Sequence, residues 1–158
     1  MSYEIYSTEI GKLAIVENMG AVTNIYFEKS IEKNIELLNM EKVETELSKK
    51  CIEEIREYLD GKRMKFSVPI APDLTPFQKR VLEEVAKIEY GKTASYIEIA
   101  EKAGNRNGAR AVGNANNRNP IPIIIPCHRV IGKNGTLTGY GGGLDIKKKL
   151  LKIEEENQ

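Results

Sequence analysis

The chain has 158 residues, 30% of them charged and 41% hydrophobic, with a formal net charge of +1. That is enough for one ordinary domain, or a small one plus a medium one, with a real core. The charge balance excludes a polycation, and no apolar stretch is long enough to cross a bilayer.

The start, MSYEIYSTEI, has no signal-peptide apolar run. Two cysteines, Cys51 and Cys127, and a single histidine make neither a disulfide framework nor a spaced zinc motif. The reading is a cytoplasmic protein with reduced thiols, no metal and no cofactor.

In chain order, residues 3–7, 12–17 and 21–27 alternate apolar and polar or are rich in strand formers. With turns at Gly11-Lys12 and Asn18-Met19-Gly20 they predict an antiparallel meander. Residues 28–42 are polar and ambiguous, with room for a short helix. Over 45–60, Leu47, Cys51, Ile55, Tyr58 and Leu59 fall at helical spacing before Gly61. Cys51 lies on that stripe and reads as core packing. Residues 65–73 are extended, with Pro69 and Pro72, and mark a boundary between domains 1–73 and 74–158.

Thr75-Pro76 opens the next helix, with Phe77, Val81, Leu82, Val85 and Ile88 on its inner face. Ser95 and Glu98 have the spacing of a capping box. A short helix there, a break at Gly104-Asn105 and a second helix over 107–117 form a helix-turn-helix pattern. The second helix is built of small residues, Arg110 and asparagines; its two glycines, Gly108 and Gly113, cost it about 1 kcal/mol each relative to Ala. Close approach of a DNA backbone or of a neighbouring helix would explain them. From Gly91 to Gly143 seven basic residues face two acidic ones, and a local basic surface suits nucleic acid.

The apolar run 121–126, bracketed by prolines, reads as buried, extended chain that delivers Cys127 to the interior. His128 and Arg129 follow, and basic neighbours lower a thiol pKa towards the nucleophilic thiolate. Asn119-Pro120 has turn chemistry and reads as structural. Tyr140-Gly141-Gly142-Gly143 is too flexible for a strand and exposes main-chain N–H groups. Over 144–156, Ile146, Leu150 and Ile153 form a helical stripe with Glu154 at its edge. The fold class is α+β: a small N-terminal antiparallel sheet domain with a helix, then a helical C-terminal domain containing a helix-turn-helix, winged-helix-like.

Pro126-Cys127-His128-Arg129-Val130, with Arg110-Ala111-Val112-Gly113, Asn119-Pro120 and Tyr140 with its glycines, resembles the O6-alkylguanine-DNA alkyltransferases. The similarity runs from about residue 75 to 154. It implies that Cys127 accepts the alkyl group, that His128 takes the thiol proton through a water, and that Glu154 orients His128. It implies that Asn119 braces the loop and that Tyr96 bonds guanine N3 and turns the neighbouring phosphate. The carbonyls of Cys127 and Val130 would take the exocyclic amine, and Tyr140, Gly141 and Gly142 would line the pocket, with the Gly141 N–H facing O6. Arg110 would replace the extruded nucleotide, and Ala111, Gly113, Asn114 and Asn116 would lie along the minor groove.

The partner implied is double-stranded DNA carrying O6-alkylguanine, with no membrane and no protein partner, the chain acting as a monomer. A base hidden in the stack must be flipped out before a thiol can reach it. The thioether product is stable, so each chain acts once. A non-catalytic lesion sensor of similar fold lacks the cysteine present here. A thiol hydrolase fits the basic second half poorly, and a sequence-reading regulator would carry longer polar side chains on its second helix.

Overall fold

The computed structural model describes the whole chain, Met1 to Gln158. It divides into two compact units, Met1–Asp73 and Leu74–Gln158. No helix is long and apolar enough to cross a membrane.

In the first unit β1 (Ser2–Thr8), β2 (Gly11–Asn18) and β3 (Ala21–Phe27) form the antiparallel meander. The middle strand is apolar on both faces: Leu13, Ala14, Ile15 and Val16 are consecutive and fully buried. Two helices, α1 (Glu28–Leu38) and α2 (Glu46–Leu59), pack on that strand. Helix α1 occupies the segment whose pattern was ambiguous, because only Ile31 of it is buried. Helix α2 begins at a Thr45–Ser48 capping box and buries Cys51, Ile52, Ile55, Tyr58 and Leu59, so Cys51 is core. A short strand β4 (Glu41–Lys42) pairs parallel to β1, giving the order β3-β2-β1-β4 and making the sheet mixed rather than purely antiparallel.

The second unit holds α3 (Pro76–Ala86), α4 (Tyr96–Lys102), α5 (Ala109–Asn117) and α6 (Leu144–Glu156). Capping boxes at Thr75–Gln78 and Ser95–Glu98 start α3 and α4. Helix α3 buries Val81, Leu82 and Val85, while Phe77 and Ile88 are half-buried at the margins. Strand β5 (Ala94–Ser95) pairs in parallel with β6 (Val130–Ile131), Ala94 opposite Val130. That short ladder fixes the start of α4 against the segment that carries the thiol.

The glycine that precedes α5 is explained by packing inside this unit. A Cβ at Gly108 would clash with the Asn105 amide, whereas one at Gly113 would lie 3.7 Å from the Tyr96 ring, an ordinary contact. Gly108 therefore makes room for the Asn105 side chain, whereas the packing leaves room for a methyl group at Gly113.

The caps make a direct prediction. Thr75→Ala removes the acceptor for the Gln78 N–H and is expected to lower stability by about 1 kcal/mol. Urea unfolding followed by circular dichroism should show the midpoint falling with an unchanged slope.

Candidate active site

The thiol is delivered by a strained turn. The run 121–126 is buried as expected, but it doubles back instead of running extended: the Ile125 N–H donates to the Ile121 carbonyl at 3.0 Å. Ile123 takes a φ of +75° at this bend, a region that β-branched residues avoid. Such strain costs about 1–3 kcal/mol and persists only where its surroundings hold it. Two features hold it here. The Ile123 side chain is 1% exposed. Asn119 clamps both limbs, donating from Nδ2 to the Ile125 carbonyl at 2.8 Å and accepting from the Ile121 N–H at 2.9 Å.

Cys127 follows in a single 3₁₀ turn, Cys127–Arg129, and is 4% exposed. Burial pushes its thiol up to about 11; hydrogen bonds from Asn119 and Tyr140 and the charge of Lys147 pull it back only part of the way. The resting group is therefore a neutral thiol. The expectation that basic neighbours would create a standing thiolate is overturned. The neighbours are spent elsewhere, and desolvation wins.

Glu154 shows where they are spent. Its Oε2 lies 2.6 Å from His128 Nε2. Arg129 donates to the same carboxylate twice, Nε to Oε1 at 2.8 Å and Nη2 to Oε2 at 3.1 Å. The Gly91 N–H adds a fourth donor at 3.0 Å. A carboxylate held by a bidentate guanidinium is ionised, so the hydrogen between it and the imidazole sits on Nε2. Nδ1 then carries the basic lone pair. Burial holds the His128 pKa below its usual value, with Glu154 opposing and Arg129 assisting. The imidazole is neutral at neutral pH and able to accept a proton.

Lys147 is the residue that sequence reasoning missed. Helix α6 buries Lys147, Leu150 and Glu154, whereas Ile146 and Ile153 are only half-buried. Lys147 Nζ donates to the Val130 carbonyl at 2.8 Å and the Thr138 carbonyl at 2.9 Å, and lies 5.9 Å from the centre of the Tyr96 ring. It ties the thiol turn to the loop before the glycines and puts a positive charge near Cys127. Burial lowers its own pKa, and Cys127 opposes the shift.

The remaining candidates fall into two groups. Tyr96 is half-buried, and its hydroxyl is held only loosely, 3.5 Å from the Thr138 carbonyl and 3.3 Å from the Thr138 hydroxyl. Asn116 is buried, and its Nδ2 donates to the Cys127 carbonyl at 3.1 Å, so it belongs with the thiol turn. Gly141 is exposed, and Tyr140 and Gly142 are half-buried. On α5, Arg110, Ala111 and Asn114 are exposed and Gly113 is half-buried. Arg129, counted among the local basic residues, is interior and paired, so the surface charge rests on residues such as Lys102, Arg106, Arg110 and Arg118. No group of three or more His, Cys, Asp or Glu side chains converges on a point that could hold a metal.

The second unit thus holds a buried thiol next in the chain to an imidazole tied to a carboxylate, the residue types of a cysteine nucleophile with a base. Known proteins share this fold and sequence. Residues 76–156 match the 6-O-methylguanine DNA methyltransferase DNA-binding domain, and residues 1–72 match its ribonuclease-like domain. The methylated-DNA–protein-cysteine methyltransferase of Methanosarcina acetivorans is 44% identical over 154 residues, covering 98% of each chain. The constitutive enzyme of Bacillus subtilis is 39% identical over 155 residues, covering 96% of this chain and 94% of its own. The crystal structure of the Mycobacterium tuberculosis O6-methylguanine methyltransferase superposes with a TM-score of 0.90 at 37% identity, covering 99% of this chain and 94% of that one. A second crystal structure of the Mycobacterium tuberculosis protein, in complex with DNA, gives 0.91 at 36% identity, with the same coverage. The chain belongs to the 6-O-methylguanine DNA methyltransferase family.

The raised thiol pKa sets the thiol's response to a generic electrophile. With a pKa of about 11, the labelling rate of native Cys127 by iodoacetamide should rise about tenfold per pH unit from pH 7 to 10, without levelling off. Peptide mapping at each pH checks this; a plateau near pH 8 to 9 would mean an ordinary thiol.

Proposed function

We propose that this chain repairs DNA by moving the alkyl group of an O6-alkylguanine onto the sulfur of Cys127, once per molecule. The observation that carries the reading is a buried, neutral Cys127 thiol next in the chain to His128, a neutral imidazole oriented by Glu154. A thiol at about 11 has to lose its proton as the new bond forms. His128 accepts that proton at Nδ1 through a water, and Glu154 stabilises the imidazolium that results. The sulfur attacks the alkyl carbon, the S–C bond forms and the C–O6 bond breaks. The electron pair stays on the guanine, which leaves as the neutral base when Tyr96 gives its proton to N3; the proton taken from the thiol is released to water and an equivalent one restores Tyr96. The loose hold on the Tyr96 hydroxyl leaves it available for that contact. Asn119 maintains the strained turn that presents the sulfur.

Duplex DNA is bound by the second unit, residues 74–158, which carries both binding and transfer. Helices α4 and α5 act as a helix-turn-helix with α5 in the minor groove. The exposed small residues Ala111 and Asn114 permit close approach without reading sequence, which suits a lesion that can lie anywhere. Exposed Arg110 enters the stack as the nucleotide is extruded. The Mycobacterium tuberculosis relative solved in complex with DNA supports DNA binding here. In this reading the reaction draws only on residues of one chain, acting as a monomer without a protein partner or cofactor.

The decisive experiment is intact mass after mixing with a duplex that contains one O6-methylguanine. One methyl per chain, mapped to Cys127, is the expected result, and Cys127→Ala should gain none while still binding DNA. Binding to the lesion without any mass gain would make the chain a sensor. Arg110→Ala should slow repair of the duplex by more than tenfold while reaction with free O6-benzylguanine changes little, since only the duplex requires extrusion. Equal losses on both substrates would remove the intercalating role.

A further inference from the structure

We infer that Asn116 reads the exocyclic amine of the extruded guanine and so sets the base specificity of transfer; this deepens the alkyl-transfer reading and rests on it. Asn116 is 1% exposed, and one end of its amide is used: Nδ2 donates to the Cys127 carbonyl. The other end, Oδ1, is enclosed and receives no hydrogen bond. A buried acceptor without a donor costs about 1–3 kcal/mol, and native proteins keep few of them. This one belongs to a side chain bonded to the main chain of the residue that carries the acceptor sulfur. A substrate placed for attack by Cys127 therefore comes within its surroundings.

Those surroundings are rich in acceptors. The Cys127 carbonyl already accepts from Asn116 Nδ2 and from the Val130 N–H. The nearby carbonyls of Val130 and Thr138 are both engaged by Lys147 Nζ. The protein offers Asn116 Oδ1 no donor, so the ligand has to bring one. Alkylation at O6 removes the N1 hydrogen of guanine, and the only donor left on its pairing edge is the 2-amino group. That group has two hydrogens. One suits a main-chain carbonyl of the thiol turn, and the other suits Asn116 Oδ1. O6-alkylated hypoxanthine is the same ring without the amine, and O4-alkylthymine has no amine either. Both would leave Oδ1 unpaired, and a site built around a hydrogen bond discriminates against analogues that lack it.

The test is single-turnover transfer from two duplexes, one with O6-methylguanine and one with O6-methylhypoxanthine. The wild-type chain is expected to favour the guanine lesion by about tenfold or more. Asn116→Leu, similar in size and without the amide, should bring that ratio close to one. Asn116→Met is the second variant, used if circular dichroism shows that the first does not fold. The ratio separates recognition from scaffolding, because loss of the bond to the Cys127 carbonyl would slow both substrates together. A ratio near one for the wild type, or an unchanged ratio in the variant, overturns the inference. Absence of any methyl gain at Cys127 in the wild type with either duplex defeats the alkyl-transfer reading itself, and this inference with it.

Discussion

A single buried anion organises the second unit. The Glu154 carboxylate takes donors from the imidazole of His128, from two nitrogens of Arg129 and from the Gly91 N–H. It thereby joins α6, the thiol turn and the loop after α3 at one point. A carboxylate alone in this interior would be strongly disfavoured, and a buried pair that loses one partner typically costs 3–5 kcal/mol. Arg129 extends the junction to the Ile88 carbonyl at 2.7 Å and lies over the Tyr90 ring. Gly91 belongs to the same node. It has a φ of +79°, and a Cβ there would fall 2.7 Å from Gln158 Cγ.

The node also settles a competition that local sequence leaves open. Three basic side chains, His128, Arg129 and Lys147, surround the thiol turn, yet the thiol stays neutral. Arg129 is neutralised by Glu154, and His128 is uncharged because burial outweighs the same carboxylate. Lys147 alone acts on the sulfur as a charge, and burial outweighs it. Burial therefore keeps both the thiol and the imidazole neutral, and the carboxylate fixes the imidazole's orientation.

The parts of the fold that bury many apolar residues at a regular period were legible in the sequence: β1 to β3, α2, and the core of α3. Helix α1 was not, because one buried isoleucine makes no period. The β5–β6 ladder was invisible because two-residue strands carry no alternation, and their partners lie far apart in sequence. The interior of α6 was misread for a physical reason. Lys147, Leu150 and Glu154 have the same helical spacing as Ile146, Leu150 and Ile153. Only the carbonyls and cations waiting for Lys147 and Glu154 decide which face turns inward. The motif residues Cys127, His128 and Asn119 were legible by resemblance. The bend at Ile123 and the amide of Asn116 on the Cys127 carbonyl needed coordinates.

The strained bend and the buried sulfur together have a bearing on the thiol's persistence. Oxidation to sulfenic acid and beyond proceeds through the thiolate and favours exposed, acidic cysteines. Cys127 is neither exposed nor acidic. A reagent consumed in one event has no second chance if an oxidant reaches it first. The same desolvation that slows the sulfur towards every solute keeps it intact. The molecule thus trades speed in solution for a long wait in the reduced state.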